Sequence, residues 1–171
     1  MYLKGKRVYL CGPIAMLADS GVAWRDYITP ILTNTYGCIV DDPCKKTTDG
    51  LSEVGKDKEY FKSLIQKKDW VTLKEKFYPI VRYDLKAVDK ADFVIYNYNP
   101  NVPTVGSTHE AVNSAVAKKP LLIKYNVKDI DSFNPWIITF VKPTWIYDEW
   151  DDMFKYLDKI NAGELDSSHW W

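Results

Sequence analysis

This sequence predicts an α/β fold, with strands and helices in alternation around a parallel sheet, and three observations lead there. Short apolar runs rich in β-branched and aromatic residues recur along the 171 residues: RVYLC (7–11), CIVDDP (38–43), DFVIYNY (92–98), PLLIKY (120–125) and PTWIY (143–147). Stretches with apolar residues at helical spacing separate them. The runs are apolar on both faces rather than alternating, as expected of parallel strands covered on both sides.

The first run ends at Gly12-Pro13, which reads as a strand leaving into a loop. Residues 21–37 have helical periodicity and end at Gly37, with Pro30 inside as a kink or an early stop. Residues 44–75 are rich in Lys and Asp with scattered aromatics. They read as an insertion of loop and one or two amphipathic helices, either covering a pocket or forming a solvated excursion. In 81–91, Leu85, Val88 and Ala91 recur at helical spacing before the third strand. A polar loop with two prolines follows, then a helix over 109–119 and the fourth strand. NPWIITFV (134–141) reads as a short helix, and the segment from about 148 as a closing helix with the aromatic tail SSHWW (167–171). Two tryptophans at a chain end predict docking on a neighbouring copy. The whole is expected to be one doubly wound domain over 1–171, a five-stranded parallel sheet with helices on both faces, flavodoxin- or Rossmann-like, with a helical insertion after strand two.

Composition narrows the function. The 23 basic and 23 acidic residues cancel, so nothing predicts a polyanion partner such as DNA or RNA. Cys11, Cys38 and Cys44 show no CxxC spacing, and their odd number points to reduced thiols in a cytoplasmic compartment. His109 and His169 belong to no metal-binding spacing, so no metal is expected. GPIAML is not GxGxxG, no GxxxxGK[ST] occurs, and no dinucleotide or other cofactor is expected. No apolar run approaches the ~20 residues of a membrane span, and the opening MYLKGKR lacks a secretory hydrophobic region. Aromatics reach 15%; packing accounts for such a share, and stacking on a nucleobase is the second use.

In a doubly wound sheet, ligands bind beyond the carboxyl ends of the strands near the switch in strand order. The polar residues predicted there are Tyr9, Gly12 and Pro13 from strand one, Asp42 from strand two, and Asn97, Thr104, Gly106, Ser107 and Glu110 after strand three. Asp84 falls at the start of the helix that leads into strand three. Glu110 has two uses compatible with the sequence. Ser107-Thr108-His109-Glu110 matches the S-x-x-E capping box, in which the glutamate turns back onto its own helix. A carboxylate at a helix start is also held ionised by the helix dipole, as a nucleophile toward a cation-like carbon must be.

Three motifs in register, VYLCGPI, YDLKAVDKADFVI and GSTHEAVNSAVAKKPLLI, resemble the nucleoside 2-deoxyribosyltransferase family, which includes related nucleoside 5′-monophosphate N-glycosidases. The resemblance spans residue 7 to about 125 and more loosely to 150. It implies that Glu110 attacks the anomeric carbon, that Tyr9 orients Glu110, and that Asp84 donates a proton to the leaving nucleobase. It implies that Gly12 lets the sugar approach the backbone, and that the protein is a homo-oligomer acting on a small nucleoside or nucleotide. Two departures stand out. Residues 44–75 exceed the compact family pattern, and no acid lies between Asp92 and Glu110, where classical transferases carry an acidic pair that binds the sugar hydroxyls. Thr104 and Ser107 there are nearer the monophosphate N-glycosidases, whose loop resembles a phosphate cradle. Arg25 is the arginine best placed to meet a phosphate.

Overall fold

The computed structural model describes residues 2–14, 17–46, 52, 54–102, 104–125 and 132–165. Five parallel strands form one sheet in the order β2-β1-β3-β4-β5: β1 Arg7–Cys11, β2 Ile39–Asp41, β3 Phe93–Tyr98, β4 Leu121–Tyr125 and β5 Ile146–Tyr147. This is the doubly wound, flavodoxin-like order, and its switch point lies between β1 and β3. All six residues of β3 and all five of β4 are buried, so both faces of the sheet are covered. Val8, Leu10, Val94, Ile95, Leu122 and Ile123 form the centre of the core at no exposure.

Among the described residues there are five α-helices: α1 Val22–Pro30, α2 Lys56–Gln66, α3 Trp70–Lys90, α4 Val105–Val116 and α5 Trp150–Ala162. α1 meets α5 through a Trp24–Trp150 stack with centroids 5.8 Å apart, and Tyr36 donates to Asp158 at 2.9 Å. α3 packs on α4. α2 lays Phe61 and Leu64 on Ile80 of α3, a small second core beside the main one.

Pro30 ends α1, the early stop the sequence allowed, and the chain continues as a π turn over Ile31–Thr35. Other expectations change in the structure. The segment 81–91 is not a separate helix but the second half of the 21-residue α3, which runs on through Pro79. Ile80, Asp84 and Val88 form its buried stripe, and that packing outweighs the cost of an internal proline. Asp84 therefore lies deep in α3 rather than at a helix start. The 134–141 helix is a single 3-10 turn at Ile137–Thr139, and a second such turn, Pro143–Trp145, shortens β5 to two residues. α4 begins at Val105, four residues before the expected start. The aromatic tail 167–171 lies outside the described residues. Among the described residues, no helix is long and apolar enough to cross a membrane.

Candidate active site

Beyond the carboxyl end of β1, the β1–α1 loop, α3 and the start of α4 line a cavity of about 310 Å³. Gly12 and Ile14 come from the loop after β1. α3 supplies Phe77, Ile80, Val81 and Leu85 as an apolar wall, with Asp84 beneath them. α4 supplies Thr104, Gly106, Ser107, His109 and Glu110. One side of the cavity is thus greasy and the other carries the polar groups, the arrangement expected of a small-molecule site.

Glu110 does not cap its helix. With the N-cap at Thr104, Ser107 falls inside α4, and Thr104 itself makes no side-chain cap. Glu110 instead accepts a hydrogen bond at Oε1 from the Tyr9 hydroxyl at 3.0 Å. Tyr9 is 1% exposed in the middle of β1. Burial, and after it the charges of Glu110 and Asp84, push the phenol well above its ordinary value, so Tyr9 remains a donor. Next to it, the Cys11 thiol donates to the Ser107 carbonyl at 3.3 Å and ties β1 to α4. Burial and the Glu110 carboxylate push that thiol up as well, so Cys11 is an inert core residue. Among the described residues no cluster of His, Cys, Asp and Glu could hold a metal.

Asp84 is buried, 2.7 Å from the Lys46 ammonium through Oδ2. Lys46 was not singled out by the sequence, where it sits in the run CKKTTDG and looks like solvated charge. Its side chain is only 1% exposed. It lines a second, polar cavity of about 200 Å³ with Tyr9, Asp41, Asp42, Tyr83 and Asp84. The apolar wall from α3 was also missed; its signal was the helical spacing of Phe77, Ile80, Val81 and Asp84, hidden by reading a break after residue 75.

The remaining expected residues divide. Gly12, Thr104, Gly106 and Ser107 line the 310 Å³ cavity with Glu110 and Asp84. At Gly12 a Cβ would lie 2.9 Å from the Trp24 ring and 3.3 Å from the Asn97 carbonyl, so glycine is needed for packing as well as for access. Pro13 and Asn97 are buried but lie outside the cavity wall. Asp42 is turned away from it: Oδ1 takes the Arg25 guanidinium at 3.5 Å and the Cys44 amide at 2.9 Å.

Arg25 does not line the cavity, as a phosphate ligand there would. It is fully buried, and its terminal nitrogens donate to the carbonyls of Gly21 (2.9 Å), Leu10 (3.3 Å) and Gly12 (3.0 Å). Those carbonyls hold the terminal nitrogens where they are, with Nε 3.5 Å from Asp42 as a charge contact, and they fix the loop that carries Gly12.

No family model matches the sequence, and no curated protein matches it. A solved structure of the 2-deoxyribosyltransferase from the psychrotolerant bacterium Bacillus psychrosaccharolyticus is similar to this chain, with a TM-score of 0.59 and 16% identity. The match covers 86% of this chain and 89% of that one. This chain therefore has the fold of that enzyme over most of its length.

Proposed function

We propose that the protein cleaves the N-glycosidic bond of 2′-deoxynucleosides and transfers the deoxyribosyl group to another nucleobase through a covalent bond to Glu110. The observation that carries this reading is the 3.0 Å hydrogen bond from Tyr9 to Glu110, which lines a cavity that Asp84 also lines. A carboxylate that faces a ligand cavity and is steadied by a phenol has the makeup of a nucleophile toward a cation-like carbon. The fold shared with a deoxyribosyltransferase supports the same assignment.

In the first half-reaction the C1′–N bond breaks and its electron pair passes to the base nitrogen. Glu110 bonds to C1′, and a proton reaches the base by way of Asp84. The apolar α3 wall receives the base and keeps water away from the ester. In the second half-reaction a new base displaces Glu110. The lack of a 2′-hydroxyl makes the cation-like state easier to reach, which favours deoxynucleosides.

One observation favours a second reading. α4 begins at the cavity without a side-chain cap, next to Gly106, and such a helix start suits an anionic group. A deoxynucleoside 5′-monophosphate, hydrolysed to base and sugar phosphate, would use it. With Arg25 buried, such a phosphate would rest on backbone amides and hydroxyls alone.

The experiment is a chromatographic screen of deoxynucleosides and their monophosphates, with and without a free acceptor base. Base exchange that requires the acceptor is the expected result; release at full rate without it favours the hydrolase. Glu110→Gln is expected to lower the rate by at least ~10³-fold, with the unfolding midpoint little changed. An active Glu110→Gln variant would remove the covalent mechanism.

A further inference from the structure

An acid that protonates a departing base must carry a proton, yet Asp84 stands 2.7 Å from an ammonium group, paired as a carboxylate. Resting on the glycosyl-transfer reading, we propose that Lys46 is the proton source behind Asp84, acting through it and never touching the substrate.

Three observations carry this. First, both partners are withdrawn from bulk water, with side chains 1% and 7% exposed. At 2.7 Å the ammonium and the carboxyl oxygen give a proton a direct path from one to the other. Second, the 310 Å³ cavity and the 200 Å³ polar cavity have one lining residue in common, Asp84. Among the described residues Lys46 lines the polar cavity and not the larger one, so Asp84 stands between the ammonium and a base bound in the larger cavity. Third, Lys46 is aimed. It follows the Pro43–Lys45 turn, which Asp42 caps by accepting from the Cys44 amide, and Asp42 is itself held by Arg25. The carboxyl end of β2 thus delivers a cation to the rear of a residue on α3.

The step balances. As the C1′–N bond breaks toward the base nitrogen, a proton passes from Lys46 to the Asp84 carboxylate and from Asp84 to the base, which leaves Lys46 a neutral amine and Asp84 a carboxylate again. Glu110 forms its bond to C1′. In the return half-reaction the incoming base loses its N–H proton to Asp84, and the proton passes back to Lys46.

Lys46→Arg separates this role from a structural one, because guanidinium keeps the charge and the pairing but does not give up its proton. The probes are 2′-deoxyguanosine and 7-methyl-2′-deoxyguanosine, whose base leaves as a neutral species without being protonated, each read as base released in a single turnover with no acceptor added, so that the return half-reaction does not enter. On deoxyguanosine, Lys46→Arg is expected to lower that rate at least about tenfold, with substrate affinity within about twofold. On the methylated substrate the deficit is expected to shrink several-fold. Lys46→Met should show the same split between substrates, which keeps the test open if the larger arginine disturbs the fold. A wild-type release rate for Lys46→Arg on deoxyguanosine, or equal deficits on both substrates, overturns the relay alone. A wild-type protein that releases no base from either substrate overturns the glycosyl-transfer reading and the relay with it.

Discussion

The Arg25–Asp42 pair and the Lys46–Asp84 pair lie at the same edge of the sheet and are almost equally buried, at 0% and 6% exposure against 1% and 7%. They differ in what surrounds them. Arg25 has backbone carbonyls on its remaining donors, so its charge is locked into the β1–α1 loop. The Lys46–Asp84 pair stands between two cavities. A buried charge hemmed in by main chain belongs to the scaffold, and one facing cavities on both sides is available for chemistry. Burial alone does not distinguish them.

Removing one partner from each pair tests that contrast most strongly. Arg25→Met strands Asp42 and three carbonyls, with an expected loss of about 3–5 kcal/mol, or roughly 10 °C in Tm for a chain of this size. Lys46→Met is expected to cost about 1 kcal/mol, because water in the cavities can hydrate Asp84. Urea unfolding of both variants measures the difference, and equal losses would erase the distinction. Tyr9→Phe sharpens the picture on the Glu110 side. It removes a hydrogen bond to a charged group worth about 1.5–3 kcal/mol, so steady-state turnover should fall about 10- to 100-fold. Since the phenol is pushed well up, its support of Glu110 should persist past the pH at which an exposed tyrosine ionises. Two glycines of the cavity complete the set. Gly12→Ala meets Trp24 and is expected to cost about 1–3 kcal/mol. Gly106→Ala has open space within 4 Å and should stay within about 0.5 kcal/mol of wild type, so any loss of substrate affinity there reports on ligand approach.

Much of the architecture could be read before any coordinates. Strands that are apolar on both faces announce a covered parallel sheet, and from that the edge where Tyr9, Gly12 and Glu110 gather. Side-chain direction was harder. Ser107 to Glu110 fits a capping box, and only the true N-cap at Thr104, three residues upstream of Ser107, rules it out. Arg25 on an amphipathic helix looks like solvated charge, because the carbonyls that hold it belong mostly to another part of the chain. Lys46 sits in a lysine-rich stretch with no local feature to set it apart; its partner is 38 positions away. Asp84 was visible as a site candidate, but its place deep in α3 was masked by Pro79 and by a break assumed near residue 75. Short-range pattern encodes the elements, whereas ion pairs across the sheet edge depend on three-dimensional assembly.

Tyr9 and Glu110 are 101 positions apart, and the pair they form is completed by α4. A ribosome must therefore deliver about two-thirds of the polypeptide before the pocket can exist. Fragments ending ahead of α4 should be inert however well β1 and α3 have formed. Turnover in a refolding mixture accordingly marks the docking of α4 onto the sheet, a late and long-range event, and offers a sensitive clock for maturation.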